Sequence, residues 1–205
     1  MQKRRSRPED LRDACVREAM SIIGEHGLQA LSLRDVARRL GVSPWAPYKH
    51  FPTRDHLIAE IVSRAYADFA AELDKHKKSD NALNELAHLG RAYLDYAREH
   101  PLRYKLIFGT PLPNPAKHPQ MMEKARHAFE ILRAIVARLP GDRTPAQADL
   151  DALFAWSAVH GLASILETRA GEQAGFDPEI LQRSSDHLLG CICACLVDRG
   201  ERNVS

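Results

Sequence analysis

Apolar residues recur at the spacing of an α-helix along nearly the whole chain of 205 residues. Leu83, Leu86, Gly90, Tyr93 and Ala97, for example, fall on one face of a helix over 82–99. The strict alternation that marks a half-buried strand is absent from the sequence. Because helices with one apolar face must bury that face against one another, the pattern predicts an all-α fold.

Capping residues, glycines and prolines divide the pattern into about nine helices. Ser6 and Glu9 have the spacing of a capping box before the first helix, and Gly27 ends it. The predicted helices span about 8–26, 33–40, 44–50, 53–75, 82–99, 102–108, 120–139, 146–169 and 178–198. We expect a three-helix N-terminal domain over 1–54 and a larger helical domain over 55–205.

The positive charge of the chain is concentrated at its N-terminal end. Residues 1–52 hold ten Lys and Arg against six Asp and Glu, although the whole chain has a net charge of only +2. A polyanion is the partner that such an asymmetry favours. The sequence has neither a secretory signal pattern nor an apolar run of membrane-spanning length, so we expect a cytoplasmic protein with reduced thiols.

Residues 31–51 have the pattern of a helix-turn-helix, in which two short helices flank a tight turn at Gly41. The second helix of such a unit enters the major groove of DNA. Arg34 and Lys49 offer positive charge, and hydroxyl and imidazole groups nearby can bind phosphates. The start of the next helix, at Thr53 and Arg54, offers free backbone N–H groups to a phosphate.

The same segment resembles the TetR family of regulators. The resemblance rests on Leu31-Ser-Leu-Arg-Asp-Val-Ala, Leu40-Gly-Val-Ser, Tyr48-Lys-His-Phe51, and on Arg54 with Leu57 just after. It implies a DNA-binding transcriptional regulator, most simply a repressor that a small-molecule inducer releases from its operator, although activation stays open. The DNA contacts expected from the motif and the resemblance are Ser32, Arg34, Ser43, Pro44, Trp45, Ala46, Tyr48, Lys49, His50, Thr53 and Arg54.

Pro47 departs from most members of the family, which have a larger apolar residue before the tyrosine. If Ser43 caps the helix, Pro47 costs one hydrogen bond; if the helix starts later, Pro47 falls in the first turn at little cost, and we favour the later start. A Pro47 variant occurs in members with a Trp-x-x-x-His-Gly motif. Trp156, His160 and Gly161 form that motif here.

The resemblance also implies that the C-terminal domain forms a homodimer through its last two helices and holds an inducer cavity. Those two helices are the apolar ones in this sequence, as the role requires. Aromatic and Met side chains suit such a cavity, although any one of them could equally be core, and His160 could be a core or dimer residue. The candidate lining residues are Phe69, Tyr93, Tyr96, Tyr104, Phe108, Met122, Phe129, Phe154, Trp156 and His160.

Three other functions are weaker interpretations of the sequence. Glu85 and His88 have the spacing of a di-iron helix, but such sites need a second copy, and no nucleophile or zinc motif points to an enzyme. A helical ligand-binding protein without DNA binding is the other class, and Pro47 is its best support. His187, Cys191 and Cys195 share a helix face. With a dimer mate they could bind a soft metal or form an intersubunit disulfide, or they could simply pack at the dimer seam. We expect no catalytic residue, metal or cofactor.

Overall fold

The structure, a computed structural model, describes residues 10–109 and 111–202. Within these residues the chain forms α-helices and short 3₁₀ helices without a strand, which confirms the all-α prediction. The α-helices are α1 Leu11–His26, α2 Leu33–Leu40, α3 Arg54–Asp74, α4 Ala82–Glu99, α5 Pro101–Phe108, α6 Pro119–Val136, α7 Pro145–Glu167, α8 Ala170–Gln173 and α9 Pro178–Arg202. The 3₁₀ helices are Leu28–Ala30, Pro47–Lys49 and Pro115–Lys117.

Side-chain caps set most of the helix starts. Asp10 caps α1 by accepting a hydrogen bond from the Arg12 amide, so α1 begins three residues after the predicted start. Asn81 accepts from two amides of α4, and Thr144 forms a capping box with Gln147 at α7. The capping box predicted at Ser6 and Glu9 lies outside the described residues.

The prediction of an α-helix over 44–50 is wrong. Residues 44–46 form a turn, and Pro47–Lys49 form a single 3₁₀ turn. Pro47 has no N–H to continue an α-helical ladder, so it starts the 3₁₀ helix at little cost, as the later start required. The predicted eighth helix is also shorter, because α7 ends at Glu167 and Arg169 adopts a left-handed conformation with φ 57° before α8.

The core is continuous from α1 to α9 within the described chain. α3 packs along α6, while α4 lies against α7 and α9. A buried ion pair between Arg143 and Asp151 joins the start of α7 to α9, because Arg143 also donates to the Leu196 carbonyl. Among the described helices, none combines the length and apolar character that crossing a membrane demands. The division into domains 1–54 and 55–205 stays a prediction.

Candidate nucleic-acid interface and ligand cavity

The turn between α2 and the next segment is held by Gly41. Gly41 has φ 66°, in the left-handed region that glycine tolerates best, and it closes α2 in the way the sequence predicts. The Val42 amide donates to the Ala37 carbonyl at 3.0 Å, which directs the chain out of the helix. The buried Leu33 and Val36 side chains fix α2 to the core, so its other face is free to meet a partner.

We call residues 43–50 the reading head. The Ala46 amide donates to the Ser43 carbonyl at 2.9 Å, and the Phe51 amide donates to the Pro47 carbonyl at 2.9 Å. The Pro47 ring is buried, whereas Trp45 is 72% exposed and contacts Tyr48 at a ring distance of 5.8 Å. A proline thus anchors the head from within, and a large indole projects from its surface.

Most of the predicted DNA contacts, in α2, in the head and at the start of α3, are exposed. Arg34 and Lys49 are exposed and make no ion pair within the described residues. Ala46 and Ser32 are half-buried, and Ser32 and Thr53 serve as N-caps of α2 and α3. The exposed members of the predicted set are Arg34, Ser43, Pro44, Trp45, Tyr48, Lys49, His50 and Thr53.

Arg54 and two α2 arginines are engaged within the fold. The Arg54 guanidinium donates to the carbonyls of Leu31 at 2.9 Å and Leu28 at 2.6 Å. Arg39 pairs with Glu25 and Glu18 of α1, while Arg38 pairs with Asp35 within α2. The Arg39 pairs brace α2 against α1. Arg34 and Lys49, which make no ion pair within the described residues, are available to meet a phosphate or base.

A cavity of ≈ 610 Å³ lies between α3, α4, α5, α6, α7 and α9. That volume is typical of a small-molecule site. Most of its wall is apolar, and Arg126, Glu130 and Arg133 of α6 lie along one side. The predicted side chains that line it are Phe69, Tyr93, Phe108, Met122, Phe129, Trp156 and His160.

Tyr96, Tyr104 and Phe154 stand outside this lining. Tyr96 is buried and donates to the Ala65 carbonyl at 3.3 Å, and Phe154 is half-buried on α7. Tyr104 packs behind the wall, where its hydroxyl contacts His160. The sequence analysis missed the aliphatic part of the lining, because a leucine on a helix face has the same pattern whether it borders a cavity or fills a core; Leu73, Leu86, Leu89, Leu132, Val159, Leu189 and Ile192 belong to it.

The polar centre of the cavity wall is a triangle of Tyr93, Tyr104 and His160. The two hydroxyls are 3.2 Å apart, and they lie 3.1 Å and 2.7 Å from His160 Nδ1, respectively. Burial raises the pKa of Tyr104 to about 12 and raises the pKa of Tyr93 further. Burial also lowers the pKa of His160, so the three groups are neutral near neutral pH.

Glu85 and His88, which share a di-iron spacing, do not form a common site. Glu85 is buried and accepts hydrogen bonds from His76 Nε2 at 3.0 Å, from the Ser79 amide and from Arg138. His88 instead contacts the Lys77 carbonyl at 3.0 Å. Cys191 and Cys195 are exposed on α9, and Cys191 Sγ lies 3.7 Å from His187 Nε2. No cluster of metal-ligating side chains occurs in the described parts of the chain.

Comparisons with known proteins match both halves of the chain. Residues 86–191 match the family model "Tetracyclin repressor-like, C-terminal domain", and residues 16–61 match "Bacterial regulatory proteins, tetR family". The HTH-type transcriptional regulator Rv1816 of Mycobacterium tuberculosis is 31% identical over 114 residues, which are 54% of this chain and 49% of that protein. The chain therefore spans about half the length of the curated relatives it matches.

Solved structures match over most of the chain. The regulatory protein SCO4313 is 29% identical, with a TM-score of 0.72 over 92% of this chain and 95% of that one. FadR of Bacillus subtilis, solved with stearoyl-CoA, shares the fold alone, at 13% identity and a TM-score of 0.67 over 88% of this chain and 97% of that one. Since the C-terminal family model alone covers more than half of the residues, the chain belongs to the TetR family of transcriptional regulators.

Proposed function

We propose that this protein is a ligand-responsive DNA-binding transcriptional regulator, most simply a repressor that a small molecule releases from its operator. The observation that carries the proposal is the path of α3. Its first turn, capped by Thr53, adjoins the reading head, and further along the same helix Tyr66, Phe69 and Leu73 line the cavity. One rigid element thus connects the two sites, so a ligand that shifts it changes the position of the head.

The reading head supports DNA binding in spite of its missing α-helix. Pro47 is turned inward, so Trp45, Tyr48 and Lys49 keep their exposure in the 3₁₀ geometry. Lys49 and Arg34 supply the charge that phosphates or guanine edges bind. The neighbouring Trp45 offers an apolar face, which suits contact with a thymine methyl group.

An apolar stripe that the single chain leaves exposed supports a homodimer. Leu150, Leu153 and Ile165 are between 45% and 62% exposed on α7, and Ser157 on the same helix face permits close approach. Ile180 of α9 is 58% exposed. We propose that α7 and α9 pack against their copies, which places two reading heads on two half-sites of an operator.

The cavity supports a small-molecule effector. Its volume and apolar wall fit an organic ligand. FadR, which has the same fold, was solved in complex with stearoyl-CoA, and this supports a ligand-binding role.

Fluorescence anisotropy on the DNA upstream of the protein's own gene, with scrambled DNA as control, tests the proposal. We expect specific binding that weakens as salt rises, and a loss of about tenfold in Lys49→Ala or Arg34→Ala. Lys105→Ala, an exposed cation on α5, is the matched control and should bind as the wild type does. If neither the upstream DNA nor a selection from genomic fragments gives specific binding, the proposal fails. A helical ligand-binding protein without DNA binding is then the better interpretation.

A further inference from the structure

The hydrogen-bond triangle in the cavity wall determines which nitrogen of His160 carries the proton. Tyr93 and Tyr104 each bring one O–H, and neither hydroxyl has an acceptor other than its neighbour or His160 Nδ1 among the described residues. If Nδ1 were also protonated, it could no longer accept, and only one of the two hydroxyls could donate to the other. One buried donor would then be left without an acceptor, which costs free energy.

Nδ1 is therefore the acceptor of the triangle. The hydroxyl of Tyr104 donates to it at 2.7 Å, and the hydroxyl of Tyr93 donates either to it or to the Tyr104 oxygen. A neutral imidazole has one N–H, so the proton of His160 sits on Nε2. The imidazolium form is disfavoured for the same reason, since it too would place a proton on Nδ1, and burial lowers the pKa of this ring.

His160 Nε2 is a donor without an acceptor of its own in the described chain. The ring lines the cavity and packs edge-on to Phe108 at 5.2 Å, while no described group accepts a hydrogen bond from Nε2. An occupant of the cavity can supply this acceptor. The walls around this donor are aromatic and aliphatic, so the rest of the occupant is apolar.

The neutral groups beside His160 disfavour an anionic occupant at that point of the cavity. Arg133 is held by Asp149 through two hydrogen bonds of 2.7 and 2.8 Å, and Arg126 is an exposed residue of α6 with Glu130 one turn away. A carboxylate placed at His160 would meet only neutral imidazole and phenol groups. Burial of an unpaired charge costs far more than burial of a carbonyl.

We propose, on the basis of the ligand-responsive function proposed above, that the cavity binds an uncharged, largely apolar molecule with a carbonyl-type oxygen that accepts a hydrogen bond from His160 Nε2. Tyr93 and Tyr104 act as positioning residues, because they hold the ring in the tautomer that donates. The preference of the cavity for a ligand with a hydrogen-bond acceptor thus depends on the hydroxyls of Tyr93 and Tyr104, although Tyr104 lies outside the cavity lining.

Three related compounds test the proposal by displacing the fluorescent probe N-phenyl-1-naphthylamine from the full-length protein. Benzophenone has the carbonyl, diphenylmethane lacks it, and diphenylacetate carries a negative charge. We expect benzophenone to compete about fivefold better than diphenylmethane, which corresponds to one neutral hydrogen bond, and diphenylacetate to compete worst. His160→Phe should remove the difference between the first two compounds, and Tyr96→Phe, which alters a buried hydroxyl outside the lining, should keep it.

A second measurement uses the wild-type protein alone, so it does not depend on whether a variant folds. The carbonyl stretch of ¹³C-labelled benzophenone bound to the wild-type protein should lie below its frequency in hexane, as expected for a hydrogen-bonded carbonyl. Four results would each overturn the proposal: equal competition by benzophenone and diphenylmethane, best competition by diphenylacetate, an unshifted carbonyl stretch, or failure of the probe to bind the folded protein. None of these measurements involves DNA. The anisotropy experiment tests DNA binding separately, so failure of the ligand proposal and failure of the DNA-binding proposal can be told apart.

Discussion

Two networks of polar side chains contact the buried face of α4. They differ in charge and in whether every hydrogen-bonding group has a partner. The ion network joins Glu85 to His76 and Arg138, and the tyrosine–histidine network joins Tyr93 to Tyr104 and His160. Both contain a histidine, but only His160 keeps a nitrogen without a partner in the described chain.

The ion network is closed because every group in it has a partner. His76 Nδ1 faces the Leu73 carbonyl and Nε2 faces the Glu85 carboxylate, so both ring nitrogens have a hydrogen-bond partner. These contacts join the end of α3, the loop after it, α4 and the end of α6. The comparison indicates that a closed, charged network supports the fold, whereas a neutral network with an unused donor is available for binding.

Glu85→Gln should have the largest effect on stability. The amide cannot balance the positive charge of Arg138, and losing the hydrogen bonds to a buried carboxylate whose arginine partner is half exposed costs about 2 kcal/mol. Urea unfolding monitored by circular dichroism measures the loss. Glu99→Gln, an exposed residue at the end of the same helix, is the control and should change the free energy of unfolding by less than about 0.5 kcal/mol. An equal, small effect of both variants would show that the ion network does not support the fold.

The contribution of the ion network should disappear in acid. Hydrogen bonding from His76, followed by Arg138, lowers the pKa of Glu85 from 4.5 to about 2. Because the folded pKa lies below the unfolded one, the stabilisation is fully present above 4.5 and is lost as the pH falls towards 2. The stability gap between wild type and Glu85→Gln should therefore narrow from about pH 4.5 downward. A gap that stays constant over this range would mean that Glu85 is not the titrating group.

Some of these elements could be predicted from the sequence, and others could not. The range of α4 was predicted as observed, 82–99, because Asn81 caps it and Pro101 follows its end. The helix over 44–50 was predicted wrongly in type, since the apolar and polar pattern is the same in an α-helix and in a turn followed by a 3₁₀ turn. The His76–Glu85 bond joins a predicted loop to a helix, and no periodicity in a sequence specifies such a contact. The role of Tyr104 behind the cavity likewise depends on how α5 packs against α4 and α7.

Tyr104→Phe should have a smaller effect than Glu85→Gln. The variant removes one neutral hydrogen bond, and Tyr93 at 3.1 Å can still donate to His160 Nδ1. We expect a loss of about 1 kcal/mol in the free energy of unfolding. Urea unfolding next to Glu85→Gln makes the comparison direct. A loss as large as that of Glu85→Gln would show that the tyrosine–histidine network is as structural as the ion network.

His160→Phe should lower the free energy of unfolding at neutral pH by about 1 kcal/mol. A ring of similar size replaces the imidazole and the two hydroxyls can still bond to each other at 3.2 Å, but one of them loses its acceptor, Nδ1. Its distinguishing effect lies in the pH dependence. Burial lowers the pKa of His160 below 6.5, so the unfolded chain binds the extra proton first and the wild type loses stability as the pH falls below 6.5. The phenylalanine variant lacks that loss, so its stability should approach or exceed that of the wild type near pH 5. If the two proteins instead lose stability in parallel between about pH 6.5 and 5, His160 does not resist protonation in the fold. The neutral Nε2–H donor that is proposed for the tyrosine–histidine network would then have no support.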